Sequence, residues 1–378
     1  MDNLAHSLVG LTLAKAGLER VSPYATTVCV LAANAPDVDV LTRLRGNWFA
    51  LEHHRGITHS IVGVLALGVL LPLIAFVIER IAARVGHVER RIRLPGLIIV
   101  SIIACATHPL LDWLNSYGLR PFLPWSARWY YGDLLFIFDP WLWLILGSAA
   151  FLLTARTRWR VGAWSALALI VTVGFLLLTQ RAAWSFVALA IWVVGLVIVV
   201  WAHRAGGAAR FGARVAQIAL ALVVCYIAAL ALVHQRAQAQ ATQAAAELAR
   251  THDEMLQRVA AMPMAADPTN WLAVAETDRA TYRFQVHVPA RAALNEQTVA
   301  RFEKPQGADA AQVARAEQDA RAQIFLGFAR FPVMRVQTDE QGALLVRFAD
   351  VRFSPPDTSR RPARGTFALD VHVPRAEQ

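Results

Sequence analysis

The sequence predicts a polytopic bundle of membrane-spanning α-helices followed by a mostly β domain outside the membrane. Of its 378 residues, 56% are hydrophobic and only 17% are charged, a balance too apolar for an ordinary soluble protein. Long apolar runs fill the chain up to residue 233, whereas apolar and polar residues alternate in several segments beyond residue 262. The first pattern is typical of membrane helices and the second of β-strands.

The apolar runs predict about six full membrane spans. Each is about 20 residues long, the length that crosses a hydrocarbon core of about 30 Å. The predicted spans are residues 57–77, 94–111, 134–153, 161–179, 183–201 and 215–233. Two shorter apolar segments precede them, residues 4–18 and 23–35. These predict two short N-terminal helices that are short spans, half-buried helices or a re-entrant pair.

The charge pattern is typical of a membrane protein. The net charge is +10, but the excess is carried largely by arginines in short loops between apolar runs, so we expect no nucleic-acid partner. The three cysteines all lie in apolar runs without a CxxC pair, which argues against a disulfide framework or a thiolate zinc site. The start of the chain has no basic stretch of the kind that opens a signal peptide, so we expect none to be cleaved.

The distribution of Lys and Arg also predicts an orientation. When alternate loops are assigned to alternate sides, the loops near residues 80–93, 156–160 and 204–214 carry most of the positive charge and are predicted to be cytoplasmic. The stretch 53–59, the loop 112–133 and everything after the last span would then face outward.

The chain is predicted to have three parts: a membrane domain at residues 1–233, a helical stalk at 234–262 and a soluble α+β domain at 263–378. In the third part, period-two apolarity predicts strands at residues 282–288, 344–353 and 366–373. A helix is predicted at 309–328. This domain shows no catalytic cluster, and its partner is not specified by the sequence.

Polar residues that can bind metals cluster where the first long run begins. His53, His54, Arg55 and His59 fall within seven residues, and imidazole is the commonest metal ligand in proteins. Arg55 is interpreted as a clamp for phosphate or carboxylate oxygens, with a snorkelling interfacial arginine as the alternative.

Two further pairs have metal-ligand spacing. His108 and Asp112 are four residues apart and so share one face of a helix, although they could simply hydrogen-bond at the interface. Asp37 and Asp39 follow the second short segment and can point at one cation, with an Asx turn or a helix N-cap as the alternative.

These groups, together with His6 and Asp139, are predicted to converge at one level on the outward side. Mixed imidazole and carboxylate ligands favour Zn²⁺, with Mn²⁺ or Mg²⁺ as alternatives and room for one or two ions. A bound metal of this kind suits a hydrolase. The chain has neither an HExxH zinc-protease motif nor a GxSxG nucleophile elbow.

Three blocks in order carry a resemblance: PDVD at residues 36–39, HRGITHS at 54–60 and HPLLDWLNSYG at 108–118. They are similar to blocks of a bacterial family of inner-membrane metal-dependent hydrolases, also labelled LexA-binding. The step FDPW at 138–141 is similar to that family's aspartate-proline entry into the next helix. The resemblance covers roughly the first 150 residues. It implies a multi-pass inner-membrane protein whose metal positions are Asp37, Asp39, His54, His59, His108 and Asp112, joined by His6.

The resulting hypothesis is a metal-dependent hydrolase at the outer face of the inner membrane, acting on an ester or phosphoester, with a lipid of the bilayer as one candidate substrate. The metal ligands would be His6, Asp37, Asp39, His59, His108 and Asp112. The catalytic group would be His54, a further ligand or general base, with Arg55 and Asn115 orienting the substrate and Asp139 supporting the ligands. The alternative hypothesis is a non-catalytic membrane protein with a structural metal site and a partner-binding β domain.

Overall fold

The computed structural model describes residues 1–86, 91–179, 185–289, 298–338, 343–353 and 367–373. The chain divides into two compact units. The first comprises Met1–Val38, Arg55–Leu232 and Pro263–Pro268, and the second comprises Asp39–His54, Val233–Met262 and Thr269–Gln378.

The first unit is helical. Its helices are α1 (Asn3–Lys15), α2 (Ala25–Asn34), α4 (Ile61–Arg84), α5 (Leu94–Trp113), α6 (Pro140–Thr154), α7 (Arg158–Thr179), α8 (Ser185–Arg204) and α9 (Gly207–Phe211). Short 3₁₀ segments lie at Leu18–Arg20, Ala35–Arg45 and Ile57–His59, and helix α3 (Asn47–His53) belongs to the second unit. Helix α10 (Arg214–Thr251) begins in the first unit and ends in the second.

Within the described residues, five helices are long and apolar enough to cross a membrane: Ile61–Arg84, Leu94–Trp113, Arg158–Leu177, Phe186–Arg204 and Arg214–Thr251. The segment predicted as a span at 134–153 is helical only as the shorter Pro140–Thr154. It starts late because the Asp139 side chain caps the helix by accepting from Leu142 N, and Pro140 occupies the first turn. The predicted start of the next-to-last span, Ala183, lies outside the described residues.

The span predicted at 57–77 also starts later, at Ile61. The Ser60 hydroxyl accepts from Gly63 N at 3.2 Å and so caps α4, while residues 57–59 form a separate 3₁₀ turn. This difference matters because it places His59 before the helix rather than on it.

The two short N-terminal segments form helices α1 and α2, which pack closely against each other and against α5. A Cβ added at Gly10 would lie 2.6 Å from the Cys29 carbonyl oxygen, so only glycine allows the two backbones to approach this closely. Small residues such as Ala14, Ala32 and Ala104 fill the apolar cluster between these helices. The tight packing brings the polar ends of α1, α2 and α5 together.

The second unit contains two antiparallel sheets. The first has strands β1 (Leu256–Met264), β2 (Asp267–Thr277), β3 (Ala280–His287) and β4 (Ala300–Glu303) in that order, and the second has β5 (Pro332–Thr338), β6 (Leu344–Asp350) and β7 (Ala368–His372). Alternate residues of β2 and β3, such as Trp271 and Phe284, pack on Ala237, Ala241 and Ala245 of α10. The alanines are four residues apart and so share one face of α10, and alternate strand residues share one face of the sheet. These two faces pack together as one core.

The alternation predicted at 282–288, 344–353 and 366–373 corresponds to β3, β6 and β7, although Thr366 lies outside the described residues. The stalk predicted as helix to residue 262 is wrong in its second half. Helix α10 ends at Thr251, and Asp253 then has a φ of 53°, which breaks the helix before strand β1.

The helix predicted at 309–328 is in fact two helices, α11 (Gly307–Ala316) and α12 (Ala320–Phe328). The chain breaks between them because the Asp319 side chain accepts from Arg321 N and so starts a new helix. Helix α3 also packs here, with Trp48 against the apolar cluster around Phe325.

Candidate metal centre

Five imidazole and carboxylate side chains come together in the first unit. His6 is on α1, Asp37 is on the 3₁₀ segment after α2, His59 is on the 3₁₀ turn before α4, and His108 and Asp112 are on α5. Two sets of three residues, which share His108, have potential ligand atoms within 4.8 Å of one another. One set is His6, His108 and Asp112, and the other is Asp37, His59 and His108. The predicted convergence of these five residues is therefore seen in the structure.

The two imidazole Nε2 atoms of His59 and His108 lie close to each other and to one carboxylate oxygen each of Asp37 and Asp112. His59 Nε2 is 3.2 Å from His108 Nε2, 3.5 Å from Asp37 Oδ1 and 3.4 Å from Asp112 Oδ2. His108 Nε2 is 3.4 Å from Asp37 Oδ1 and 3.6 Å from Asp112 Oδ2. Ligands at about 2.0 to 2.1 Å from a tetrahedral Zn²⁺ are about 3.3 Å apart. The distances from each of the two imidazole nitrogens to the other donor atoms match the spacing of ligands around one such ion.

The backbone sets the orientation of the His108 ring. His108 Nδ1 lies 2.7 Å from the Ala33 carbonyl oxygen, which can only accept a hydrogen bond, so Nδ1 is the donor. In the neutral ring, Nε2 then carries a lone pair directed at the other three donor atoms. A histidine that binds metal is typically held by such a hydrogen bond to a carbonyl.

Asp37 is the least enclosed of the four ligands. Its side chain is 21% exposed, whereas those of His59, His108 and Asp112 are at most 1% exposed. Burial alone would raise the pKa of Asp37, but the neighbouring imidazoles of His108 and His59 hold this pKa well below its usual range. Its other oxygen, Oδ2, accepts from Asn3 Nδ2 at 3.0 Å. The cluster is accessible on the Asp37 side and carries a carboxylate there at neutral pH.

Arg55 holds Asp112 from behind. Its Nε and Nη2 atoms each lie 3.0 Å from an oxygen of the Asp112 carboxylate, and Nη1 donates to Asn115 Oδ1 at 2.9 Å and to the Gly118 carbonyl at 3.2 Å. The side chain is buried, and its guanidinium stacks on the Tyr117 ring. With its donors directed at these protein groups, Arg55 fits a role in positioning Asp112 better than the predicted role as a clamp for a substrate anion.

His6 completes the cluster but is not hydrogen-bonded. It is fully buried, its ring stacks on His108 with centroids 3.7 Å apart, and its Nε2 lies 3.5 Å from Asp112 Oδ1. Neither ring nitrogen has a hydrogen-bond partner among the described residues. The Met1 amino group also contacts Asp112 Oδ1. A buried imidazole without partners is costly, and a cation beside it would supply the missing partner.

The cluster therefore fits a divalent metal ion. It offers two imidazole nitrogens within 3.6 Å of two carboxylate oxygens, a His108 ring oriented by the Ala33 carbonyl, and a buried His6 imidazole with no hydrogen-bond partner among the described residues.

Other predicted site residues lie elsewhere. Asp39 and His54 belong to the second unit and pair with each other, with His54 Nδ1 at 3.1 Å from Asp39 Oδ1. His53 is exposed and bonds to the Phe49 carbonyl. Asp139 caps α6 and accepts from Tyr226 Oη at 2.9 Å, so the contacts described for it are structural.

Asn115 is buried, and its Oδ1 is held by Arg55 and by Tyr117 N. Its Nδ2 has no hydrogen-bond partner among the described residues. Sequence reasoning missed Asn3 and the Ala33 carbonyl. The latter gives no sequence signal, because any residue type carries a backbone carbonyl.

Comparison with known proteins gives a relative and a family. The chain is 29% identical over 154 residues to the uncharacterized protein YfhP of Bacillus subtilis (strain 168), a match that covers 38% of this chain and 43% of the relative. The chain thus spans less than half the length of that relative. No solved structure gives a significant match. Residues 1–183 match the family model described as YdjM inner membrane protein, which confirms the resemblance found in the sequence motifs. Residues 1–183, just under half of the chain, are thus similar to the YdjM inner membrane protein family.

Proposed function

We propose that this protein is a membrane-bound, metal-dependent hydrolase whose ion is held by Asp37, His59, His108 and Asp112. The observation that carries the proposal is the set of five distances between 3.2 and 3.6 Å that join the four donor atoms of these residues. Asp39 and His54, predicted as further ligands, are not required for it.

The donor set favours zinc. Two imidazole nitrogens and two carboxylate oxygens are a typical zinc donor set, whereas Mg²⁺ and Mn²⁺ prefer six mainly oxygen ligands. A bound zinc ion would polarise an ester or phosphoryl oxygen and make a water molecule easier to deprotonate.

The residues around the site would each have a defined role. Arg55 fixes both oxygens of Asp112 and so keeps them directed at the imidazoles. The Ala33 carbonyl keeps the His108 Nδ1 proton in place. His6, predicted as a ligand, would lie beside the ion, next to Asp112. Asn115 Nδ2, which has no hydrogen-bond partner among the described residues, could donate a hydrogen bond to a reacting group.

The substrate proposed is an ester or phosphoester, and a membrane lipid is the favoured source. The opening at Asp37 belongs to a unit with several membrane-capable helices, so a substrate from the bilayer would be close at hand. The Lys and Arg distribution supports a site on the outer face of the inner membrane, with the C-terminal domain on the same side.

The proposal is tested by metal analysis together with hydrolysis assays on the full-length protein in detergent or nanodiscs. We expect the wild-type protein to retain one or more zinc ions per chain. It should also hydrolyse at least one member of a panel of esters, phosphoesters and phospholipids. His59→Ala should lose both the metal and the activity. His53→Ala is the matched control, since this exposed histidine of the same stretch should leave both unchanged.

A second candidate is a structural metal site in a non-catalytic protein. It is favoured by the number of protein donors, because four protein ligands can close a tetrahedral zinc site and leave no position for water. In that case wild type would hold zinc and hydrolyse nothing in the panel, and His59→Ala would lose stability together with the metal. A wild-type protein that binds no metal would contradict both candidates.

A further inference from the structure

Among the described residues, two edge strands of the second unit border the same groove. Within the described residues, β4 pairs only with β3, and β5 pairs only with β6, so each is an edge strand of its sheet. The apolar cluster around Val274 contains Val333 of β5 and has Phe302 of β4 packed against it. Edge strands present unpaired backbone N–H and C=O groups that can bind another strand.

A cavity of about 770 Å³ lies along these edges. Residues 301–306 at the end of β4 form one wall, residues 333–336 of β5 form another, and Asp309 of α11 closes an end. Because four consecutive residues of β5 line the cavity, the backbone of this strand as well as its side chains borders it. A cavity of this size is large enough for several residues of an extended peptide.

The side chains of the cavity favour an acidic ligand. Its lining includes Arg279, Arg301, Lys304 and Arg335 but only two acidic residues. Arg301 and Lys304 are already bound to Glu254 and Glu276.

Arg279 and Arg335 remain for a ligand. Arg335 is exposed and forms no ion pair among the described residues, and Arg279 reaches Asp278 only at 3.9 Å. Two cations beside an open strand edge complement a peptide that carries carboxylates at alternate positions.

We propose that this groove, bounded by β4 and β5, binds an extended acidic segment of another protein as an added β-strand. Backbone hydrogen bonds to an open strand edge would supply affinity, and contacts of carboxylates with Arg335 and Arg279 would supply the preference for acidic sequences. The inference does not depend on the metal site, and it gives the C-terminal domain a partner-binding role.

The test uses the full-length protein in nanodiscs and a fluorescein-labelled octapeptide of alternating glutamate and valine, with binding followed by fluorescence anisotropy. We expect saturable binding of this peptide and none of its lysine–valine counterpart. Arg335→Glu should weaken binding at least tenfold. Arg315→Glu is the matched control, because Arg315 is an exposed arginine of the same unit that does not line the cavity, and it should change binding less than twofold.

A second form of the peptide tests the strand addition itself. N-methylation of every residue removes the backbone donors of both strand edges without changing the charge, so it should abolish binding. Equal binding of the methylated peptide, an equal loss in Arg315→Glu, or no binding of the acidic peptide at all would overturn the proposal. It would also be overturned if the wild-type chain self-associated and Arg335→Glu made it monomeric, because a second copy would then be the occupant.

Discussion

Buried charges are arranged differently in the two units of this protein. In the second unit, the Asp350 and Arg352 side chains are fully buried, and each is bound to the other through several hydrogen bonds of 2.7 to 3.1 Å. In the first unit, His59, His108 and Asp112 are equally buried, but their donor atoms converge on one another and His6 has no hydrogen-bond partner among the described residues. A buried pair that is complete indicates structure, whereas converging donors indicate a ligand.

Arg55 and Arg352 show the same contrast. Arg352 donates to Asp350 and the Phe328 carbonyl, and it stacks on the rings of Phe328 and Phe353, so its environment consists of protein groups alone. Arg55 also binds a carboxylate, but the Oδ2 atom of that carboxylate lies 3.4 and 3.6 Å from the Nε2 atoms of His59 and His108, where an ion could be held. An arginine–aspartate pair can therefore either complete a core or support a metal ligand.

The largest expected effect comes from breaking the pair in the second unit. Asp350→Asn leaves the Arg352 charge buried without its carboxylate, and we expect the free energy of unfolding of this unit to fall by about 3 to 5 kcal/mol. Hydrogen exchange of the β6 and β7 amides measures this loss of stability in the strands next to the pair. Metal content should not change.

The control for this change is the exposed pair between Asp319 and Arg321. Asp319 also caps α12, so Arg321→Met is the cleaner variant, and we expect it to cost less than about 1 kcal/mol. A similar cost for both variants would mean that burial does not distinguish the two pairs.

A smaller effect is expected at Arg55. Arg55→Lys keeps the positive charge but loses the two-pronged contact with Asp112, so we expect zinc affinity to fall by about 10- to 100-fold, measured by competition with a chromophoric chelator. The control is Arg120→Lys. Arg120 lies in the loop after α5 and stacks on Trp129, so this substitution should leave the zinc affinity unchanged. Unchanged affinity in Arg55→Lys would argue against its positioning role.

The smallest effect is expected at Glu276, whose carboxylate is bound by Lys304 at 2.8 Å and by Arg258. Burial tends to raise the pKa of Glu276, but these cations lower it overall. The folded state therefore gains stability from the ionised side chain at pH values above the unfolded pKa of about 4.5, and it loses this gain as the pH falls through the lower folded value.

Glu276→Gln should accordingly destabilise the second unit at neutral pH by about 1 kcal/mol or less. The difference from wild type should shrink as the pH falls below about 4.5, as measured by denaturant unfolding at a series of pH values. A difference that is constant with pH would mean that the charge of Glu276 does not contribute.

Much of the fold could be predicted because apolar periodicity is a local property. The long spans and the strands at β3, β6 and β7 follow from runs and alternation that are visible in the sequence. The predicted boundaries are wrong where a single polar residue starts or ends an element. Asp139, Asp253 and Asp319 each stop or start a helix inside a stretch whose composition predicted continuity.

The sequence predicted which residue types form the candidate site, but it did not predict which of the candidate residues come together there. His59, His108, Asp37 and Asp112 were selected by spacing and resemblance, and they do come together. Asp39 and His54 were selected on the same grounds but pair with each other in the second unit, because the segment Asp39–His54 folds with that unit. Spacing along the chain cannot show to which unit an intervening segment belongs.

The sequence by itself determined that the chain has a membrane part and a β-rich part, and that imidazole and carboxylate groups are concentrated near the ends of particular helices. These are consequences of hydrophobicity and spacing, which act over a few residues. Only the tertiary structure decided which donor atoms face one another, that Arg55 supports Asp112, and that β4 and β5 are the edge strands, among the described residues, that border one groove. Such features depend on distances of 3 to 4 Å between residues far apart in the chain, and these distances are set by the packing of whole helices and sheets.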